Sequence, residues 1–141
     1  MFINQVSVFI ENKLGRFSEV TELLESKNIK ILALCIAEAE DFGILRMIVS
    51  DPVRCNLVLN DAKITNKLTK ILAVNLDEPK KLQNILLRLR NNAISIMYAY
   101  SFGSYAVLQV EDPDAVEKIL TSKNKWFFNQ MVEEVEKAIC G

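Results

Sequence analysis

Histidine is missing from this 141-residue chain. Its absence removes the usual general base at neutral pH, the commonest zinc ligand, the Ser-His-Asp triad and any phosphohistidine route. Cysteine is scarce. Cys35, Cys55 and Cys140 are odd in number and far apart, with no C-x-x-C pair. They read as buried or incidental thiols of a reducing cytoplasm, not as a disulfide framework or a metal site. Positive charge is not in surplus: the net charge is −1 and the pI about 5.6. A nucleic-acid partner is therefore not expected. Long apolar runs are absent too. The longest, Ile31 to Ala37, is seven residues, against roughly 20 for a membrane span. The opening stretch, MFINQVSVFIENK, has neither a basic region nor a small-residue cleavage site. These absences lead to an expectation of a cytoplasmic protein with no membrane, metal or cofactor. Chemistry through Asp, Glu, Lys or Cys stays open.

Glycine is also rare, at four residues, with three prolines. Yet one glycine falls in ENKLGRFSEVTELLESKNIKI, residues 11–31, just where helical spacing begins with Phe17, Val20, Leu23 and Leu24. A glycine there weakens a helix unless the backbone needs it. Either a ligand approaches its bare backbone, or the turn demands a φ angle that other residues resist.

What is present is ordinary globular material, 50% hydrophobic and 25% charged, and it repeats. DFGILRMIVSDPVRCNLVL (41–59) matches SFGSYAVLQVEDPDAVEKIL (101–120). The Phe-Gly pairs at Phe42 and Phe102 lie 60 residues apart, and the Asp-Pro pairs at Asp51 and Asp112 lie 61 apart. The opening stretch matches LDEPKKLQNILLRLRNNAISI (76–96) at an offset of 65: Asn12 meets Asp77, Leu14 meets Pro79, Phe17 meets Leu82, Val20 meets Ile85, Leu24 meets Leu89 and Ile29 meets Ile94. A repeat this long suggests a duplicated small domain, not a solenoid.

Each copy reads β-α-β-β-α-β. In the first, alternation predicts a strand over 2–11, helical spacing a helix over 15–27, and β-rich runs strands over 29–38 and 42–49. Asp51 and Pro52 open a second helix to about residue 60, and a strand over 63–68 closes the unit. The second copy has strand 70–76, helix 79–90, strands 93–101 and 104–111, and a helix from Asp112-Pro113. The tail suggests a short strand at 125–128 and a terminal helix. The predicted class is α+β: two ferredoxin-like units, 1–68 and 69–141 with a C-terminal extension, each an antiparallel sheet with helices on one face. Both faces of 31–37 and 44–49 are apolar, so a sister copy or a second chain should cover part of the open face. Units near 70 residues are marginal alone.

Asn12-x-x-Gly15 after a first strand resembles the Asn/Asp-x-Pro-Gly turn of ACT domains. SEVTELLESKNIKILAL, DFGILRMIVSDP and ISIMYAYSFGSYAVLQVEDPDAV are similar to the matching segments of stand-alone tandem ACT proteins. The likeness covers the chain to about Ser122. It implies a non-catalytic regulatory module that binds an amino acid or a similar small molecule where domains meet, commonly as a homodimer, with a regulated enzyme or regulator as a further partner. Helix N-termini suit a carboxylate, so the implied ligand residues are Asn12, Lys13, Leu14, Gly15, Arg16 and Phe17 in the first turn and Asp77, Pro79 and Lys80 in the second. Two positions depart from the pattern. Leu14 replaces the usual proline, and Lys80 stands where the second glycine would be, which makes the first turn the better site. Side-chain selectivity would fall to apolar residues such as Cys35, Ile36 and Ala37.

Other candidates have plainer readings beside them. Arg16 pairs with a ligand carboxylate or is a solvated first-turn residue. Arg46, inside an apolar strand, sits on the open sheet face or in an interface ion pair. Tyr98, Tyr100, Phe102 and Tyr105 could stack bases, but the acidic pI favours packing. Two rival functions stand beside the sensor: an adaptor whose pocket has decayed, and an acyl-phosphate hydrolase on the same fold. The hydrolase suffers because ENKLGRF has a single glycine, and a phosphate cradle needs several free N–H groups.

Overall fold

A computed structural model describes residues 2–11, 13–38, 41–120, 132–135, 137 and 139. The elements are β1 (Phe2–Glu11), α1 (Arg16–Ser26), β2 (Ile31–Glu38), β3 (Phe42–Val49), α2 (Pro52–Asp61), β4 (Asn66–Asn75), α3 (Lys81–Asn91), β5 (Ile96–Phe102), β6 (Tyr105–Val110) and α4 (Pro113–Leu120). The chain divides into two compact units, Asn4–Thr69 and Met1–Ile3 with Lys70–Gly141.

In the first unit the strand order is β2-β3-β1-β4. Val6 pairs with Met47 and Val8 with Leu45 across an antiparallel ladder. These alternate residues, with Val49, face Val20 and Leu24 of α1 and Cys55 and Leu59 of α2 in one buried core. In the second unit β4-β6-β5 repeats the plan. Leu72, Val74, Leu108 and Val110 meet Ile85 and Leu89 of α3 and Val116 and Leu120 of α4. Phe2 packs on this second core, and the Lys70 ammonium lies 5.5 Å from the centre of its ring. The ferredoxin-like pattern thus occurs twice, with α1–α4 on the core face of antiparallel strands.

The repeat extends to backbone details. Asp51 Oδ1 accepts from Arg54 N at 3.2 Å, and Asp112 Oδ1 accepts from Ala115 N at 3.1 Å. Both caps precede a proline whose missing N–H is harmless at the first helical position. A register shift falls between Ile31 and Ala33 in β2 and between Ile96 and Tyr98 in β5, again 65 residues apart. Three helices end alike. Ile29 N–H donates to Leu24 O at 3.0 Å, Ile64 N–H to Leu59 O and Ile94 N–H to Leu89 O, each at 2.9 Å. The residue before each isoleucine is left-handed: Asn28 at φ 58°, Lys63 at 59° and Ala93 at 55°. This is the Schellman exit without its usual glycine, and the isoleucine clamps back on the core.

Three sequence expectations are corrected. Strands over 63–68 and 70–76 are one strand, β4, because nothing between Leu68 and Asn75 breaks an extended chain. Helix α3 begins at Lys81, not at 79, because Lys80 is left-handed. The Phe-Gly repeat is not a structural equivalence. Gly43 lies within β3, whereas Gly103 is the left-handed corner of the β5–β6 hairpin at φ 57°. A Cβ on Gly103 would sit 2.9 Å from Val135 Cγ2.

Residues 132–135, 137 and 139 are helical. Val135 is buried, and Tyr105 Oη donates to Glu134 Oε2 at 2.9 Å. Burial and the Glu134 carboxylate push the Tyr105 hydroxyl up to about 12. The terminal residues thus cover the β5–β6 hairpin, and the apolar open face has local cover in the second unit. Tyr98 and Tyr100 stack there with ring centres 6.5 Å apart. The strand expected at 125–128 lies outside the described residues, as does Cys140.

Two outcomes are expected. Replacing Ala93→Gly relieves an L-residue in the left-handed region, offset partly by a freer unfolded chain, so stability rises by about 0.5 kcal/mol. A melting shift of ~2 °C upward checks this; a fall contradicts it. Burial and the nearby Asp51 carboxylate raise the Cys55 thiol to about 11, so it is a poor nucleophile. Iodoacetamide with peptide mapping should alkylate half-buried Cys35 well before Cys55; equal labelling contradicts this.

Candidate functional site

The first-unit turn is built by its backbone. Gly15 caps α1 at φ 86°, ψ −8°, and no side chain caps the helix. Arg16 N–H donates back to Lys13 O at 3.2 Å. In the second unit Lys80 caps α3 at φ 65°, ψ −2°, and Lys81 N–H donates to Glu78 O at 3.3 Å. The same left-handed corner therefore opens both helices, once with glycine and once with lysine. The conformation alone accounts for Gly15, since φ near +86° is costly for other residues. The site is also open, with nothing within 4 Å of where a Cβ would stand.

A pocket of about 220 Å³ opens beside this turn, inside the first unit. Phe9, Ile10 and Glu11 from the end of β1 form one wall, Arg16, Glu19 and Val20 from α1 another, and Lys63, Ile64 and Thr65 a third. The walls meet because Phe9 N–H donates to Thr65 O at 3.0 Å, while the Lys63 corner brings the chain from α2 to β4. An asparagine ring backs the third wall. Asn56 Nδ2 donates to Asn66 Oδ1 at 2.6 Å, Asn66 Nδ2 to Asn60 Oδ1 at 2.8 Å, and Asn60 Nδ2 to Asn56 Oδ1 at 3.4 Å.

The lining mixes apolar side chains with two cations and two anions. Arg16 Nη1 lies 3.1 Å from Glu19 Oε2, and Arg16 Nη2 lies 3.9 Å from Glu11 Oε2. Lys13 Nζ lies 2.9 Å from Glu11 Oε2. The hydrogen bond from Lys13, with the charges of Lys13 and Arg16, holds the Glu11 carboxyl below its usual range. Such a lining can take both ends of a small zwitterion: Arg16 and Lys63 attract a carboxylate, and Glu11 and Glu19 attract an ammonium. Among the described residues no group of three His, Cys, Asp or Glu side chains is placed to hold a metal ion.

Of the residues expected from sequence, only Arg16 lines this pocket. Asn12 lies outside the described residues. Lys13, Leu14 and Gly15 form the exposed turn beside it, with Leu14 fully exposed. Phe17 is half-buried and packs on the first core. Asp77, Pro79 and Lys80 lie exposed in the second-unit turn, where Asp77 N–H donates to Asn75 Oδ1 at 2.9 Å. Cys35 and Ala37 sit in β2 opposite Arg46 and Ile44 of β3, and Ile36 opposite Leu45. Sequence reasoning missed Glu11, Glu19, Lys63 and Thr65. Glu11 and Glu19 flank Gly15 within four residues, a usable signal. No local signal marks Lys63 and Thr65, because the fold alone brings them to β1.

Residues 1–135 match the family model of the ACT domain pair. No curated protein matches the chain. Among solved structures, protein BT0572 from Bacteroides thetaiotaomicron is 36% identical, with a TM-score of 0.72 over 86% of this chain and 88% of that one. The ligand-free regulatory subunit of aspartate kinase from Thermus thermophilus is 12% identical, with a TM-score of 0.57 over 94% and 91%. The corresponding subunit from Thermus flavus is 10% identical, with a TM-score of 0.54 over 86% and 94%. The last two likenesses are of fold.

The turn geometry makes opposite expectations for the paired positions. Gly15→Ala should destabilise by about 1 kcal/mol, and Lys80→Gly should stabilise by a few tenths. Urea unfolding checks both. Equal and same-signed effects would contradict the shared left-handed corner.

Proposed function

The chain belongs to the ACT family as an ACT domain pair, and on that premise we propose that it is a non-catalytic regulatory protein binding an amino acid or similar small zwitterion. The carrying observation is the first-unit pocket, with Arg16 and Lys63 set against Glu11 and Glu19 over Phe9, Ile10 and Val20. Its 220 Å³ is below the ~300–1,000 Å³ of drug-sized sites, which supports a small ligand. Lys13, Leu14 and Gly15 shape the mouth; the open space beside Gly15 supports close approach. Asp77, Pro79 and Lys80 mark the weaker, degenerate turn. The active form is a cytoplasmic homodimer. Ligand shifts the equilibrium between its states, and so a regulated enzyme or regulator, by its differential affinity for them.

The adaptor reading is favoured by one specific observation. Arg16 is already paired with Glu19, so a ligand must compete for it. A thermal-shift screen of the twenty amino acids separates the two. A ligand at 100 times its Kd stabilises by about 2.7 kcal/mol, several degrees for this chain. The sensor expects one amino acid to give this shift, and Arg16→Ala or Lys63→Ala to remove it while leaving the unliganded melt within about 1 °C. No shift with any of them supports the adaptor.

A further inference from the structure

One charge at the first-unit pocket has no counterpart. Glu11 is held by Lys13, whose Nζ lies 2.9 Å from its Oε2, and Glu19 by Arg16, whose Nη1 lies 3.1 Å away. Lys13 reaches Glu11 from outside the lining, so each carboxylate of the pocket already has a cation. Lys63 lines the same pocket. Among the described residues its side chain holds no ion pair. Lys13, Arg16 and Lys63 against Glu11 and Glu19 leave a formal +1.

The corner that carries Lys63 does not require a lysine. Its φ is 59°, in the left-handed region where glycine is least strained. The matching exits of α1 and α3 carry Asn28 and Ala93. The corner is nonetheless held firmly. Lys63 N–H donates to Asn60 O and Ile64 N–H to Leu59 O, each at 2.9 Å, and Thr65 O accepts from Phe9 N–H at 3.0 Å. Asn66 Nδ2 donates to Ile64 O at 3.0 Å. The backbone bearing Lys63 is thus fixed before a ligand arrives, so little ordering is left to oppose binding. The lysine side chain is exposed, with Thr65 two residues on in the same wall.

We propose that the ligand of this pocket is an acidic amino acid, aspartate or glutamate, whose side-chain carboxylate is taken by Lys63. The charges then balance. Arg16 turns from Glu19 to the ligand's α-carboxylate, and Glu19 takes the ligand's ammonium, so one existing ion pair is replaced by two. The second carboxylate meets Lys63, with the Thr65 hydroxyl as a further donor. A neutral amino acid makes the first exchange and leaves Lys63 unmatched. A basic one brings a like charge to Lys63, which lowers affinity. Selectivity is thereby assigned to the corner between α2 and β4, and the groups common to all amino acids to Arg16 and Glu19. This assignment rests on the sensor reading of the pocket and adds the sign of the ligand's charge.

Isothermal titration calorimetry of the full chain tests it with matched pairs: L-aspartate against L-asparagine, and L-glutamate against L-glutamine, with the other amino acids as controls. One acid should bind at least about tenfold tighter than its amide, in keeping with a charge-assisted hydrogen bond. Lys63→Gln should cut that ratio to about threefold or less, weakening the acid and sparing the amide. Lys63→Gly relaxes the left-handed corner, so it should melt no lower than the parent and lose the preference equally; a lost fold is then not the cause. An acid-to-amide ratio that survives both substitutions overturns the proposal, as does a neutral or basic amino acid that binds tightest. The sensor reading stands in both of those cases. Failure of all twenty amino acids to bind overturns the sensor reading and the proposal together.

Discussion

A residue held in the left-handed region at the mouth of each first helix is the constraint on which the two units depend. The chain must leave the end of a strand, reverse, and start a helix across the core face within a few residues. A φ of +86° at Gly15 and +65° at Lys80 makes that reversal. With the corner set, Val20 and Leu24 point at Val6 and Val8 in one unit, and Ile85 and Leu89 at Leu72 and Val74 in the other. A left-handed residue also ends each of α1, α2 and α3 and returns an isoleucine to the core. Entry and exit are thus fixed by backbone conformation, and the apolar spacing between them does the packing.

The cores make such corners tolerable. A non-glycine residue in this conformation costs roughly 1–2 kcal/mol, and Asn28, Lys63, Lys80 and Ala93 all accept that cost. Emptying a buried side chain such as Leu24 or Leu89 to alanine costs about 2–5 kcal/mol. Packing outweighs local strain, which is why the described residues make six left-handed corners with glycine at two of them. β4 links the units directly, running without a break from the first unit into the second.

The legible parts were those governed by local spacing. Helical periodicity located all four helices to within about two residues, and Asp-Pro located the caps of α2 and α4, because both signals act within one or two turns. The duplicated order followed from aligning them. The continuity of β4 was not legible, since Leu68 to Lys70 looks the same at a strand's end as in its middle. Phe-Gly misled because identical dipeptides landed on opposite sides of a hairpin corner, one in a strand and one in the turn. Of the pocket, Arg16 was legible from its place beside the glycine. Lys63 and Thr65 were not, because 37 residues or more and three elements, β2, β3 and α2, separate them from the end of α1. The family resemblance supplied the ligand class, which spacing alone does not.

Pocket and corner are connected: the turn that sets α1 also places Arg16 and Glu19 against the end of β1, and the Lys63 corner closes the third wall. Ligand recognition is therefore expected to be local to the first unit. The most direct measurement is a titration of the isotope-labelled chain with an amino acid that binds, following backbone amides by NMR. The expected result is saturable shifts at Gly15, Arg16, Glu19 and Lys63 to Thr65, with the Asp77–Lys81 turn unmoved. Saturable shifts centred on the second-unit turn, with Gly15 and Lys63 silent, would contradict it.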